Sequence, residues 1–157
     1  MIPLLRKFDD WILEIYGEGE LRPHLSEMIV NSDMQKKIFL RGPVNDLPQK
    51  YESSSIYLMS SRYEGLPMVL LEAQAHALPV VAYDCETGPS EIINDGQSGF
   101  LISMGDSDEF RRRVEELIVD DAKRESMGRA AFESVQRFSS ESIFLKWRAL
   151  LEGGKDE

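Results

Sequence analysis

The sequence predicts an α/β protein built on a doubly wound parallel sheet. Short apolar runs of strand length alternate along the chain with longer segments of helical periodicity. The run Pro79-Val-Val-Ala-Tyr83 is almost continuously apolar, which is typical of a central parallel strand covered on both faces. The 157 residues, 42% hydrophobic and 29% charged, are enough for one domain with its own core. We therefore predict a single domain over residues 1–157.

Three strands are predicted in the first part of the chain. The elements in order are the end of a helix up to Asp10, a strand at 11–16, a helix at 21–30, a strand at 37–41, a helix at 47–53 and a strand at 55–60. Glycine-containing turns after residues 16 and 41 end the first two strands. A doubly wound domain normally begins with a strand and the turn after it. The helical opening therefore leads us to expect that the first strand is missing.

Two further strands and a helical C-terminus follow. The elements are a helix from the Gly65-Leu66-Pro67 turn to about residue 77, a strand at 79–83, a short helix at 89–93, a strand at 99–102, and helices at 107–119, 121–138 and 140–152. Phe144, Trp147, Leu150 and Leu151 are expected to form a packing face on the last helix. Residues 153–157 are expected to be a loose tail.

Composition and charge exclude several functions. A formal net charge of −10 argues against a surface for nucleic acid or anionic lipid, since both need clustered Lys and Arg. The single cysteine, Cys85, permits no internal disulfide and suits a reducing cytoplasm. The two histidines have no partners at metal-binding spacing, so we predict no metal site. No segment has the length of a membrane span or the pattern of a signal peptide. We expect a cytoplasmic protein that binds any phosphate through helix N-termini and backbone N–H groups.

The turn after the first strand superficially resembles a dinucleotide fingerprint. Gly17-Glu-Gly-Glu-Leu-Arg22 follows a strand and precedes a helix, but Arg22 stands where the third glycine belongs. Two glutamates would also face the pyrophosphate. A nicotinamide cofactor is therefore not favoured, and a flexible turn is the better interpretation.

Glu64 and Glu72 flank the start of a predicted helix. Because Pro67 suits a first helical turn, Glu64 is expected in the loop before the helix and Glu72 about a turn and a half inside it. Both would lie near the carboxyl end of the preceding strand, where open α/β sheets bind ligands and carboxylates can accept hydrogen bonds from sugar hydroxyls. The N–H groups around residues 65–68 would favour an anion. The simpler alternative is a dipole-complementing Glu64 and a solvated Glu72, but the helix around Glu72 is largely apolar.

A second predicted helix start follows the central strand. Thr87 and Gly88 precede Pro89, so the free N–H groups of Ser90 and Glu91 are expected to face the same sheet edge. Two such helix starts on neighbouring units could hold a diphosphate or the sugar attached to it. An ordinary capped helix is the alternative.

Four segments, in this order and spacing, resemble the C-terminal domain of GT-B glycosyltransferases of the retaining family called group 1, or family 4. They are Ser-Arg-Tyr-Glu-Gly-Leu-Pro-Met-Val-Leu-Leu-Glu-Ala (61–73), Ala-Leu-Pro-Val-Val-Ala-Tyr-Asp (77–84), Thr-Gly-Pro-Ser-Glu-Ile-Ile (87–93) and Asp-Gly-Gln-Ser-Gly-Phe-Leu-Ile (95–102). The resemblance covers about residues 11–147 and implies a Rossmann-like, nucleotide-sugar-binding domain. Each segment alone is a weak signal, whereas their order is specific.

The resemblance implies roles for individual residues. Glu64, the first glutamate of an E-x7-E motif, would be the catalytic residue at the donor sugar, and Glu72, the second, would hold the ribose hydroxyls. The remaining predicted donor-binding residues are Gly65, Leu66, Pro67 and Met68 beside the sugar and diphosphate, Gly17, Arg41 and Val44 beside the nucleoside, and Gly88 and Ser90 at the second helix start.

The family transfers a sugar from a nucleoside diphosphate with retention, usually without a metal, and no cofactor is implied. The family more often has Gly-Phe-Gly where this chain has Gly65-Leu66-Pro67, and glycine where it has Ala77. Both departures resemble the branch that carries Thr-Gly-Pro-Ser-Glu. This branch implies a UDP-hexose or UDP-N-acetylhexosamine donor in surface polysaccharide assembly. The acceptor would be a glycan or a lipid-linked glycan bound by an N-terminal domain, and the full enzyme could associate peripherally with a membrane.

Two parts of the family pattern are expected to be absent from this chain. They are the acceptor-binding N-terminal domain and the Arg–Lys pair that neutralises the diphosphate. The chain alone is therefore expected to bind its donor weakly and to be inactive. Two alternatives are a non-catalytic nucleotide-binding or regulatory module and one subunit of a split glycosyltransferase.

Overall fold

The computed structural model describes residues 1–152, so the tail predicted at 153–157 lies outside the described residues. The backbone forms two compact units, Met1–Leu47 and Pro48–Glu157. The single domain over residues 1–157 stays a prediction. Every helix of the described residues is too short or too polar to cross a membrane.

The first unit is a small α/β layer. Its elements are α1 (Ile2–Lys7), β1 (Leu13–Tyr16), α2 (Arg22–Asn31) and β2 (Ile38–Gly42). The two strands pair in parallel, with Leu13 opposite Ile38 and Ile15 opposite Leu40. Their apolar side chains enter a core centred on Leu5, Met34 and Ile38. Burial of this apolar surface holds the two strands and their crossover helix together.

The second unit contains a three-stranded sheet and most of the helices. Its elements are α3 (Leu47–Glu52), β3 (Tyr57–Met59), α4 (Met68–Ala75), β4 (Val80–Asp84), α5 (Pro89–Ile92), β5 (Gly99–Ser103), α6 (Ser107–Val119), α7 (Asp121–Val135), a 3-10 turn (Gln136–Phe138) and α8 (Ser140–Glu152). The sheet order is β3-β4-β5, and both pairings are parallel.

Strand β4 is the central strand that the sequence predicts. Val80, Val81 and Ala82 are fully buried, because strands flank β4 on both sides and helices cover the sheet. Its carboxyl end leads into the loop before α5, and the carboxyl end of β3 leads into the loop before α4. The predicted parallel α/β architecture is confirmed. Among residues 1–152, however, the strands divide between two hydrogen-bonded sheets instead of forming one.

Helix α4 ends in a tight turn that explains an unusual residue. The N–H of Leu78 donates to the Ala73 carbonyl at 3.1 Å, and the N–H of Ala77 donates to the Gln74 carbonyl at 2.9 Å. This pair of bonds requires a left-handed residue after the helix, and Ala77 adopts it with φ +57°. The glycine common at this position in the resembled family thus has a conformational reason.

Helices α6 and α7 begin at predicted residues because aspartates cap them. The carboxylate of Asp106 accepts from the Glu109 N–H at 2.9 Å, and that of Asp120 accepts from the Lys123 N–H at 2.8 Å. Helix α8 also has its predicted bounds, but none of its residues is buried. The packing face expected there, which includes Trp147, is therefore exposed in this chain.

Candidate functional site

The loop between β3 and α4 carries the first group of predicted site residues. Glu64 is half-buried, and no group among residues 1–152 donates a hydrogen bond to its carboxylate. Leu66 and Met68 are exposed, whereas Pro67 is buried. Pro67 is the N-cap residue of α4 rather than part of its first turn, which corrects the predicted placement by one residue. The first N–H groups of α4 have no intrahelical acceptor and so are available to an anion.

The loop between β4 and α5 lies against the first loop. The Thr87 hydroxyl donates a hydrogen bond to the Glu64 carbonyl. Gly88 has φ +99°, and a Cβ there would lie 2.7 Å from the Gly65 carbonyl oxygen and 2.5 Å from Pro67 Cδ. The starts of α4 and α5 are therefore side by side at one edge of the sheet, as the sequence predicts.

Glu72 lies within α4 and is hydrogen bonded by a tyrosine from another helix. The Tyr51 hydroxyl donates to Glu72 Oε2 at 3.0 Å. The Tyr51 ring lies between Tyr57, 6.0 Å away, and His76, 5.2 Å away, measured between ring centroids. The carboxylate is thus anchored to a buried aromatic group and is not a freely solvated helix residue.

The Glu64 and Glu72 carboxylates act on the same phenol. The pKa of Tyr57 is raised to about 12, mainly by burial and to a smaller extent by the negative charges of Glu64 and Glu72. Negative charges stabilise the neutral phenol relative to the phenolate, so this effect reports that both carboxylates lie near Tyr57. Tyr57 is therefore a shared neighbour of the two predicted glutamates, whose roles in a site stay a prediction.

Ser90 is exposed in the first turn of α5, directly after buried Pro89. Its side chain forms no hydrogen bond with the described residues. Ser90 is thus accessible to a ligand bound at the paired helix starts.

Gly17, Arg41 and Val44 lie in the first unit. Gly17 borders a cavity of about 190 Å³, and its N–H donates to the Gly42 carbonyl at 2.9 Å. Val44 is half-buried just beyond β2. The residues that line the cavity are Ile15, Tyr16, Gly17, Glu18, Gly19, Leu21, Arg22, Leu25 and Leu40.

Arg41 is committed to partners of its own unit. Its Nε lies 2.6 Å from Glu14 Oε1, and its guanidinium stacks 4.5 Å from the centre of the Phe39 ring. The Tyr16 hydroxyl donates to the other oxygen of Glu14 at 2.8 Å. The guanidinium of Arg41 is therefore already paired with a carboxylate. Its role beside a nucleoside stays a prediction.

No three His, Cys, Asp or Glu side chains within residues 1–152 are grouped so that they could hold a metal ion. Cys85 is buried, with 2% of its surface exposed, as a small packing residue would be.

Comparison with known proteins identifies the family of the chain. The family model described as Glycosyl transferases group 1 matches residues 1–134. The chain belongs to this family. The β3–α4 loop, the β4–α5 loop and α4 all lie within the matched range, so the candidate site is part of the group 1 domain.

Among curated relatives, this group 1 domain is 36% identical over 141 residues to the amylovoran biosynthesis glycosyltransferase AmsD of Erwinia amylovora. The alignment covers 90% of this chain and 40% of AmsD. The chain therefore spans less than half the length of this relative.

Solved structures share the fold. TarM of S. aureus, determined as a variant in complex with Fondaparinux, alpha-GlcNAc-glycerol and UDP, matches with a TM-score of 0.88 and 29% identity over 95% of this chain and 30% of TarM. The pneumococcal O-GlcNAc transferase GtfA in complex with UDP and GlcNAc matches with a TM-score of 0.85 and 26% identity over 99% of this chain and 32% of GtfA. These matches agree with the predicted Rossmann-like half of a GT-B glycosyltransferase.

Sequence reasoning missed several groups of this group 1 site. The Tyr51 hydroxyl donates to the Glu72 carboxylate, and the charges of Glu64 and Glu72 raise the pKa of Tyr57. The His76 ring nitrogen Nδ1 lies 2.8 Å from the Glu72 carbonyl oxygen. From the sequence, the two histidines were considered only as metal ligands. The three aromatic residues come from different elements, so no periodicity of the sequence links them.

Proposed function

We propose that this chain is the donor-binding part of a retaining glycosyltransferase that uses a UDP-sugar. The observation that carries the proposal is the close approach of Gly88 to Gly65 and Pro67, since it sets the starts of α4 and α5 side by side. Helix starts offer N–H donors and the positive end of the helix dipole, and a pair of them favours a diphosphate. The UDP bound to TarM and to GtfA supports uridine as the nucleoside.

Each predicted residue has a role in this proposal. Glu64 is the catalytic residue beside the donor sugar, because its carboxylate accepts no hydrogen bond from residues 1–152 and can meet the reacting centre. Glu72 accepts hydrogen bonds from the ribose hydroxyls. The N–H groups of residues 65–68 and of Ser90 hold the sugar and diphosphate and stabilise the charge that develops on the leaving phosphate. Gly17, Arg41 and Val44 border the nucleoside.

In this proposal, residues outside this chain bind the acceptor. The acceptor is a glycan or a lipid-linked glycan, and the transferred group is a hexose or an N-acetylhexosamine. The relative AmsD, an amylovoran biosynthesis glycosyltransferase, supports a role in biosynthetic sugar transfer. The chain alone binds the donor weakly and transfers no sugar. A cytoplasmic location belongs to the same proposal.

The proposal is tested by titrating the labelled chain with UDP, UDP-glucose and UDP-N-acetylglucosamine while its backbone amides are followed by NMR. We expect saturable shifts at residues 65–68 and 90–91, because these N–H groups would face the diphosphate. The Glu72→Ala variant should lose affinity for UDP. The Glu133→Ala variant is the matched control, since Glu133 is an exposed helix carboxylate remote in sequence from the site.

NAD serves as the control nucleotide in the same titration. Shifts with NAD and none with UDP or a UDP-sugar would contradict the proposal. A saturable UDP response that is equal in Glu72→Ala and Glu133→Ala would contradict the role of Glu72. No response to any nucleotide at millimolar concentration would contradict the proposal and favour a regulatory module that binds no nucleotide.

A further inference from the structure

One of the two carboxylate oxygens of Glu72 is already occupied. The Tyr51 hydroxyl donates to Oε2 at 3.0 Å, whereas no group among residues 1–152 donates to Oε1. Tyr51 and Glu72 are 21 residues apart and lie on different helices, α3 and α4. The hydrogen bond therefore fixes one oxygen through tertiary structure and leaves the other available to a ligand.

Tyr51 is itself held firmly in place. Only 6% of the residue is exposed, and its ring is flanked by Tyr57 and His76. Burial, and next the hydrogen bond to Glu72, raise the pKa of the Tyr51 phenol. The phenol thus keeps its proton at neutral pH and donates to the carboxylate, which has only acceptor sites when ionised.

Such a contact matters because a glutamate side chain is flexible. Its several rotatable bonds give it many rotamers, and a ligand that needs one of them must first restrict the others. A hydrogen bond to a charged group is among the stronger ones in proteins. Holding the carboxylate before the ligand arrives therefore improves binding without a new contact to the ligand.

We infer that Tyr51 is a positioning residue of the donor site, whose hydroxyl holds the Glu72 carboxylate so that Oε1 is presented to the ribose hydroxyls of the nucleotide. This inference rests on the proposed function, since it assigns Glu72 to the ribose. It has a specific consequence: a nucleotide without ribose hydroxyls gains nothing from Tyr51.

The test compares the dissociation constants of UDP and 2′,3′-dideoxy-UDP for the full chain and for Tyr51→Phe. Phenylalanine keeps the ring that fills this space, and circular dichroism checks that the fold is retained. We expect UDP to bind about tenfold more weakly to Tyr51→Phe and dideoxy-UDP to change by less than about twofold. Tyr83→Phe is the matched control, because the Tyr83 ring packs against Phe110 and is not part of the proposed site. Its affinity for UDP should be unchanged.

A double-mutant cycle separates positioning from a general structural effect. With Glu72→Ala already present, Tyr51→Phe should change UDP affinity by less than about twofold, because there is no carboxylate left to hold. Equal losses of affinity with and without Glu72, or for both nucleotides, would show a structural role and overturn the inference.

The two proposals fail in different ways. If the unmodified chain does not bind UDP, the proposed function fails and the positioning role fails with it. If UDP binding depends on Glu72 but Tyr51→Phe binds UDP as tightly as the unmodified chain, only the positioning role is overturned.

Discussion

Gly88 and Pro67 approach each other so closely that no side chain fits between them. A Cβ at position 88 would lie 2.5 Å from Pro67 Cδ, well inside van der Waals contact. Gly88 also has φ +99°, a conformation that residues with a Cβ rarely adopt. Both effects restrict this position to glycine, and both serve the approach of two loops that begin on neighbouring strands.

We expect Gly88→Ala to lower the free energy of unfolding by about 2–5 kcal/mol. Strain at positive φ contributes about 1–2 kcal/mol, and overpacking against Pro67 adds about 1–3 kcal/mol. Gly96→Ala is the control, because Gly96 has φ +74° but nothing within 4 Å of a Cβ. Urea unfolding should show a loss of only about 1 kcal/mol there. Equal losses in the two variants would mean that the contact with Pro67 is unimportant.

Ala77→Gly should stabilise the protein by about 1 kcal/mol. Ala77 has φ +57° after the end of α4, and glycine relieves the strain of a Cβ in this conformation. Ala75→Gly, two residues earlier and still inside the helix, should instead destabilise by about 0.5–1 kcal/mol. The midpoints of urea unfolding should therefore move in opposite directions. A destabilised Ala77→Gly variant would contradict the left-handed turn.

Gly128→Ala should separate α7 from the end of α4. A Cβ at Gly128 would lie 2.2 Å from the Ala77 carbonyl oxygen, and a backbone atom cannot move aside as a side chain can. We expect a loss of about 2–4 kcal/mol in the free energy of unfolding. Ser126→Ala, at an exposed position of the same helix, should change it by less than about 0.5 kcal/mol. Thermal unfolding measures both variants. Equal stability of Gly128→Ala and Ser126→Ala would contradict the close contact between Gly128 and the Ala77 carbonyl.

Alkaline pH should destabilise the protein through Tyr57. Burial is the main cause that raises the pKa of this phenol to about 12, whereas an unfolded tyrosine titrates at about 10. Between these pH values the unfolded chain has released a proton that the folded protein keeps, so stability falls as pH rises. We expect a contribution of about 1 kcal/mol from this partly exposed group. Tyr57→Phe should lose correspondingly less stability over that interval in urea unfolding, and an identical pH dependence would contradict this assignment.

Much of the fold could be predicted from local signals. The bounds of α6 were predictable to the residue because Asp106 caps its first turn and Asp120, directly after its last residue, caps the first turn of α7. Strand β4 was predictable because a nearly continuous apolar run of strand length is typical of a central parallel strand covered on both faces. The adjacency of the loops at Glu64 and Gly88 followed from parallel strands that end at the same edge of a sheet.

Tertiary contacts explain the remaining differences. No pattern in the sequence relates Tyr51 to Glu72, since a buried hydrogen bond between two helices depends on how those helices pack. Arg41 was assigned to a nucleoside, but the sequence alone did not indicate that Glu14, on the neighbouring strand, would bind its guanidinium. The parallel α/β architecture was predictable, but the division of its strands into β1-β2 and β3-β4-β5 among residues 1–152 was not, because the strand pattern does not specify which strands pair.

The exposed side chain of Trp147 makes α8 directly visible to fluorescence. The chain has two tryptophans, and 61% of Trp147 is exposed, whereas Trp11 is half-buried in the first unit. The emission of Trp147 should therefore lie at long wavelength and be quenched readily by iodide. A molecule that covers this helix would shift the emission to the blue and protect it from quenching, so α8 carries its own unlabelled reporter.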